Sequence, residues 1–211
     1  SLYNALTNAM PDARIVSAAV SEMGGLQSGI EDMEYNPEEL KALADCDVVI
    51  AAVGEPSEDT CESASKTVLR LSANQERLIR DLHALGKPVV LVIFSGRPLE
   101  IAPVLGDADA VLQGWYLGDA SGRALADLLT GKANPSGRLS MSFPANVGQI
   151  PVHYNSFRTG RPYRGLHERY VSRYLDCDNE PLFPFGFGLS YTSFALSGAA
   201  VDHAALTEEK A

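Results

Sequence analysis

The feature that most constrains the fold is a short, unbroken run of apolar residues that ends at a glycine. Residues 48–53 read VVIAAV and end at Gly54, where a polar loop begins. The run is continuous rather than alternating, as expected for a strand that is covered on both faces. PVVLVIF at 88–94 is the strongest strand signal in the chain, and ADAVLQ at 108–113 is a further one. These runs predict a sheet buried between helices.

Helical patterns separate the predicted strands. Pro37, followed by two acids, starts one helix, and Ser72 with Gln75 predicts a capping box at the start of another. The remaining predicted elements are strands at 13–20 and 138–143 and helices at 2–9, 99–105 and 118–130. This order predicts an α/β domain with a doubly wound, mostly parallel sheet sandwiched by helices, of the flavodoxin-like type.

The pattern changes after Pro144. Residues 1–144 form the predicted α/β sandwich core, whereas residues 145–194 are rich in Pro, Gly, Tyr and Arg and lack periodicity. We expect this second stretch to be a loop-rich extension of the same domain, wrapped over a neighbouring surface, because its aromatic content is unlike that of disordered segments. Residues 195–211 are expected to be a linker or the start of a following fibronectin-like domain.

Charge and cysteine usage exclude several classes of partner. The net charge of −10 argues against nucleic acid and against an anionic membrane surface, and no apolar run is long enough to cross a bilayer. Three widely spaced cysteines form neither a disulfide framework nor a zinc motif. Unpaired thiols slightly favour the cytoplasm, with a periplasmic or secreted location also open. The start shows no signal peptide, and we expect the chain to be a piece of a longer protein.

The polar loop after the first buried strand is the candidate functional segment. It reads GEPSEDTCESASK and carries four acids, Glu55, Glu58, Asp59 and Glu62. Ligands bind in open α/β sheets outside the carboxyl ends of strands, and paired carboxylates perform glycosyl transfer. A solvated acidic loop or a cation site are the alternatives, although no ladder of Ca²⁺ ligands with a central glycine is present. No metal or organic cofactor is expected.

Other common sites are absent from the sequence. The acid at Glu55 stands where the pyrophosphate of a dinucleotide would lie, and neither Ser95 nor Ser190 sits in a nucleophile elbow. His83 is expected to be solvated, and His203 is expected to lie in a frayed tail. His153 and His167 are expected to have a structural or surface role rather than a catalytic one.

Four stretches together resemble a known family. GWYLGDASGRALADLLTGKANPSGRLSMSFP at 114–144 is similar to the second, α/β sandwich domain of glycoside hydrolase family three, which contains β-glucosidases and exo-acting relatives. KPVVLVIFSGRPLEI resembles the strand and GRP turn of that family, and PLFPFGFGLSYTSF its closing signature. VGQIPVHYNSFRTGRPY with YVSRYLDC resembles the bacterial periplasmic-type β-glucosidase branch. The resemblance spans nearly the whole chain in order.

The resemblance implies a retaining exo-β-glucosidase that releases terminal β-D-glucosyl residues. It implies that a (β/α)8 barrel preceding this domain carries the nucleophile, an Asp, which this chain should lack. The isolated chain is therefore expected to be inactive. Its partners would be a β-linked glucoside or oligosaccharide and the missing barrel.

The same resemblance implies a role for one acid of the loop. In relatives the acid/base Glu precedes a basic residue and a Leu-x-Leu run, which makes Glu62 the best match here, ahead of Lys66 and LRL at 69–71. Ser65-Lys66 stands where many members have Asp-Arg, so Glu55 and Glu58 remain competitors. Glu55, Glu58 and Lys66 are predicted to contact substrate. Glu55 alternatively anchors the loop, and Lys66 alternatively screens Glu62. We expect the loop to be mobile without the barrel.

Three alternatives stay open. The domain could be a non-catalytic carbohydrate-binding or domain-docking module. The parent could be a β-xylosidase or another exo-β-glycosidase of the family. A free-standing doubly wound protein with a small ligand at its strand ends is the third, and the aromatic extension argues against it.

Overall fold

Three parallel strands, in the order β1-β2-β3, form the sheet. The computed structural model describes residues 1–20, 36–157, 160–164 and 169–201. The strands are β1 (Val49–Gly54), β2 (Val89–Phe94) and β3 (Ala110–Gln113). Val49 lies opposite Val89, and Val90 lies opposite Ala110. The predicted parallel α/β arrangement is confirmed, as a small open sheet with helices.

Helices connect the strands and cover the sheet. They are α1 (Leu2–Ala9), α2 (Ala73–Ala84), α3 (Ala102–Leu105) and α4 (Ser121–Leu129), with 3-10 helices at Pro37–Leu43, Ser57–Asp59 and Val147–Gln149. Helix α2 begins as predicted at Ser72, whose hydroxyl oxygen accepts a hydrogen bond from the backbone N–H of Gln75 at 3.3 Å. Ile79 and Leu82 then point into the core, because they lie one turn apart on the same helix face.

The central strand is buried on both faces, as its composition predicts. Leu91 and Val92 are neighbours and therefore point to opposite faces, and both are fully buried. Strand β1 differs, since Ala51 and Val53 are buried while Ala52 is exposed. The prediction that residues 48–53 are covered on both faces is therefore wrong, because β1 is an edge strand of the sheet described here and only one of its faces packs on the core.

Two predicted strands are not strands. Residues 13–20 run without regular structure, although Val16 and Ala18 pack against the core. Their apolar spacing serves side-chain packing and makes no backbone ladder in the described ranges. Residues 138–143 pair with the extension at separate points: Phe143 and Phe183 form an isolated antiparallel bridge, and Leu139 donates to the carbonyl of Phe187 at 2.9 Å.

The extension is irregular, and one buried amide holds part of it. The Nε2 of Gln149 donates to the carbonyls of Asp178 (2.8 Å) and Glu180 (3.0 Å), while its Oε1 accepts from the N–H of Ala145 at 2.7 Å. Several predictions fall outside the described residues: most of the loop at 23–36, His167, His203, and residues 202–211 of the predicted linker. His83 and His153 are exposed.

Candidate functional site

The loop begins at Gly54, whose position only glycine can occupy. Its φ is 143°, and a Cβ built there would lie 1.7 Å from the carbonyl oxygen of Phe94. The backbone N–H of Gly54 donates to Oε1 of Gln75, and Nε2 of Gln75 donates to the Gly54 carbonyl, both at 2.9 Å. The predicted capping box is therefore wrong in its second half, because this pairing with the strand end uses the Gln75 side chain.

At the carboxyl edge of the sheet lie four charges, two buried acids and two half-buried cations, which we name the charge cluster: Glu55, Asp59, Lys66 and Arg97. Glu55 and Asp59 are each only 4% exposed. The Nζ of Lys66 lies 2.9 Å from Oε1 of Glu55 and 3.5 Å from Oδ2 of Asp59. Arg97 Nε lies 3.5 Å from Oε2 of Glu55. Two anions and two cations balance, which buried charges require.

Arg97 also holds the backbone of the loop. Its Nη2 donates to the carbonyl of Asp59 at 2.7 Å and to that of Ala64 at 3.2 Å. Between these carbonyls the chain makes a tight turn, closed by the N–H of Ala64 donating to the Cys61 carbonyl at 3.2 Å. Glu62 and Ser63 are the central residues of this turn. Ser63 has φ 62°, a left-handed conformation that costs a non-glycine residue about 1 kcal/mol.

The turn after β3 adds a further fixed point. The hydroxyl of Tyr116 donates to the Glu55 carbonyl at 2.9 Å and lies 3.0 Å from Oγ1 of Thr60. A Cβ at Gly96 would lie 3.2 Å from the Thr60 side chain and 3.3 Å from the Tyr116 ring. Loops from the carboxyl ends of β1, β2 and β3 thus meet at one edge of the sheet, where ligands bind in open α/β folds.

The structure separates the predicted site residues into two sets. Glu55 and Lys66 lie together in the charge cluster. Glu58 and Glu62 are exposed, and Glu58 accepts a hydrogen bond from the Ser57 hydroxyl at 3.0 Å. Within the described ranges, the Glu62 carboxylate has neither a hydrogen bond nor an ion pair, including with Lys66. Substrate contact by Glu55, Glu58 and Lys66 stays a prediction.

Sequence reasoning missed three members of this arrangement. It placed Arg97 in a turn, Asp59 among the loop acids, and Tyr116 after a strand, without linking them. The available signal was positional: each follows a parallel strand at its carboxyl end, so all three reach the same edge. Within the described ranges, no three His, Cys, Asp or Glu side chains gather as a metal site requires.

The structure also has an apolar groove of about 440 Å³, and none of its lining residues belongs to the loop at 54–66. It is formed by the turn after β2 and by the start of the extension, and its lining includes Leu69, Pro98, Met141, Ile150, Tyr154 and Phe185. Further large apolar side chains of the extension are exposed, among them Phe157, Tyr170, Leu175 and Leu189. Exposed apolar side chains of this size are typical of surfaces that contact a partner when they form one patch. No helix of the described residues has the length and apolarity needed to span a membrane.

An open parallel sheet with a polar loop at its carboxyl edge defines the class of this domain: an α/β domain with a loop-built site. The family description "Glycosyl hydrolase family 3 C-terminal domain" matches residues 2–191. The chain therefore belongs to this family.

Similar proteins agree with that assignment. The chain is 48% identical over 161 residues to the periplasmic beta-glucosidase of Salmonella typhimurium, covering 76% of this chain and 21% of that protein. It is 37% identical over 171 residues to a beta-xylosidase of Formosa agariphila, covering 81% and 23%. The chain thus spans under a quarter of the length of these relatives.

Solved structures have the same fold. A beta-glucosidase from Listeria innocua in complex with glucose superposes with a TM-score of 0.75 at 47% identity, over 79% of this chain and 24% of that one. A mutant of the same enzyme in complex with laminaribiose gives 0.79 at 41% identity, over 92% and 26%.

Proposed function

We propose that this chain is the C-terminal domain of a larger retaining exo-β-glucosidase, and that Glu62 is its general acid/base. The observation that carries the proposal is the placement of Glu62. It is an exposed carboxylate at the carboxyl edge of the sheet, between two carbonyls that both accept hydrogen bonds from Arg97. The length of the relatives supports a larger enzyme, since they are about four times as long as this chain.

In the proposed reaction two carboxylates work in turn. The Glu62 carboxylic acid gives its proton to the glycosidic oxygen while the bond from that oxygen to C1 breaks and a nucleophilic carboxylate, expected to be an Asp of the preceding barrel, bonds to C1. Glu62, now a carboxylate, then takes a proton from water. The water oxygen bonds to C1, and the nucleophile leaves as a carboxylate.

The apolar groove and the exposed aromatic residues support the presence of another domain in a longer protein that contains this chain. Phe157 and Leu196 have essentially no burial, and covering such residues favours association. We therefore propose that the extension docks against the barrel. Residues 1–144 would form the sandwich core, 145–194 its extension, and 195–211 the lead into a further domain.

The substrate and the compartment are proposed from the named relatives. β-Linked glucosides follow from the Listeria complexes with glucose and laminaribiose, and a β-xyloside is the alternative that the Formosa relative supports. The name of the Salmonella relative supports the periplasm, against the cytoplasm that three unpaired thiols slightly favour.

The test uses a longer protein that contains this chain. Glu62→Gln should lower kcat/KM for a disaccharide by about 10²–10⁴-fold, the usual contribution of general acid catalysis. Azide should restore turnover of an activated aryl glucoside by Glu62→Ala, giving the β-glucosyl azide, because azide needs no general base.

Glu38→Gln is the control, because Glu38 is exposed and its ion pair with Lys41 is a surface pair. Azide rescue at Glu58→Ala instead of Glu62→Ala would move the assignment to Glu58. The isolated chain should not hydrolyse an aryl β-glucoside, and turnover that copurifies with it would contradict the two-domain proposal.

A further inference from the structure

We propose that Arg97 is a positioning residue for Glu62: it clamps both ends of the turn that carries this carboxylate. The inference rests on the proposed function of Glu62. The turn Gly96-Arg97-Pro98 after β2 thereby serves proton transfer by holding Glu62, which lies in the loop after the neighbouring strand β1. Arg97 itself does not contact the substrate.

The clamp consists of two hydrogen bonds from a single atom. One nitrogen, Arg97 Nη2, donates to the carbonyls of Asp59 (2.7 Å) and Ala64 (3.2 Å). The four residues between these carbonyls include Glu62. Because both carbonyls belong to the loop while Arg97 follows β2, the clamp ties the Glu62 turn to the central strand of the sheet.

Electrostatic attraction holds Arg97 in place. Neither carboxylate oxygen of Glu55 accepts a hydrogen bond of good geometry among the described residues. Glu55 therefore acts on Arg97 and Lys66 through charge, at 3.5 Å and 2.9 Å. A carboxylate this buried strongly favours keeping both cations nearby. Lys66 in turn reaches Asp59, whose carbonyl Arg97 holds.

The turn itself has a constrained conformation. Ser63 has φ 62°, which a free loop would relax, since αL is unfavourable for serine. Strained residues persist where the surroundings over-determine them. Here the clamp, the Cys61–Ala64 hydrogen bond and the Tyr116 hydroxyl supply those restraints. The result is a carboxylate that is exposed to a partner, yet carried by a backbone fixed at both ends.

Arg97→Lys is the discriminating variant. Lysine keeps the positive charge beside Glu55, but its ammonium is a point charge on a flexible stem and cannot reproduce the rigid fork of guanidinium. We expect the fold to persist and the Glu62 turn to loosen.

The first measurement uses the chain alone and does not depend on activity. Cys61 is exposed, precedes Glu62 and donates its thiol to the Glu58 carbonyl at 3.2 Å. With Cys46 and Cys177 replaced by serine, Arg97→Lys should speed labelling of Cys61 by Ellman's reagent about tenfold, the equivalent of one lost charged hydrogen bond. Arg123→Lys, a change on the exposed face of α4, is the matched control.

The second measurement uses a longer protein that contains this chain. If Arg97→Lys misplaces Glu62 by about 1 Å, kcat/KM of the variant on an alkyl β-glucoside should fall about 100-fold, because the alkyl leaving group needs a proton. On a dinitrophenyl β-glucoside, whose leaving group does not, the loss should be within a few-fold. A merely structural role for Arg97 would lower both by the same factor.

The outcomes separate the two proposals. Unchanged Cys61 labelling in Arg97→Lys, or equal losses on the two glucosides, overturns the positioning role. Unchanged hydrolysis of the alkyl glucoside by Glu62→Gln overturns the proposed function, whatever the labelling shows. Faster labelling together with a selective loss on the alkyl glucoside supports both.

Discussion

The sheet region and the extension are held together by different interactions. In the sheet, parallel backbone pairing and apolar burial act together, and β2 is buried along both faces. In the extension, single side-chain amides such as Gln149 and Asn179 bond to backbone groups, while many aromatic side chains stay exposed. The comparison shows that one domain can combine a core built by backbone pairing and apolar burial with an irregular segment. Part of that segment packs on the core through Leu182 and Phe183, while other apolar side chains in it stay exposed.

The largest expected effect tests the rigidity of the sheet region. Gly54→Ala should destabilise the chain by more than about 4 kcal/mol, because its Cβ would meet the Phe94 carbonyl at 1.7 Å. Gly86→Ala is the control: Gly86 has φ 67° with nothing within 4 Å, so only about 1 kcal/mol of backbone strain applies. Urea unfolding measures both. A small, equal effect of the two changes would show that the strand end yields.

An intermediate effect tests whether the extension opens separately. Gln149→Glu keeps the oxygen that accepts from Ala145 but loses the donor to the carbonyls of Asp178 and Glu180. The extension should lose about 1–3 kcal/mol of local stability, seen as faster hydrogen exchange there, while β2 amides keep their protection.

The matched control for this change is Asn155→Asp, the same replacement of an amide by a carboxylate at an exposed position of the extension. If β2 amides lose protection as much as the extension does in Gln149→Glu, the two regions unfold as one unit, and the contrast between them is broken.

The smallest effect concerns a thiol of the extension. Partial burial, together with the carboxylates Asp176 and Asp178, raises the pKa of the Cys177 thiol. Less thiolate is therefore present near neutral pH, and the rate of labelling of Cys177 should rise at a higher pH than that of an ordinary thiol. Asp176→Asn should shift this pH profile to lower pH, whereas Asp119→Asn, a change at a distant exposed acid, should leave it in place. Identical profiles for both variants would contradict the electrostatic cause.

Much of the sheet region was predictable because its signals are local. The continuous apolar runs located β1 and β2, and Ser72 located the start of α2. Residues 13–20 are also largely apolar, yet make no strand. The difference between packing against a sheet and pairing with it lies in the neighbouring backbone, which periodicity does not report.

The location of the candidate site was predictable, but only some of its residues were. The position of the loop after a parallel strand pointed to the edge of the sheet, and the family resemblance selected Glu62. The pairing of Glu55 with Lys66 and Arg97 could not be predicted, because Arg97 lies far along the chain and the partner of a charge depends on tertiary contacts. The prediction of a mobile loop stays untested, although the clamp and the charge cluster favour order in its backbone.

The amide of Gln75 has a consequence for how copies of this domain behave in solution. Gly54 N–H and C=O point away from β2, toward the side where an incoming strand would add to the sheet. The paired 2.9 Å hydrogen bonds from Gln75 occupy both groups, so the side chain imitates one residue of an extra strand. An exposed strand edge is a template for self-association. At the carboxyl end of β1, Gly54 offers no free N–H or C=O group with which a neighbouring chain could pair.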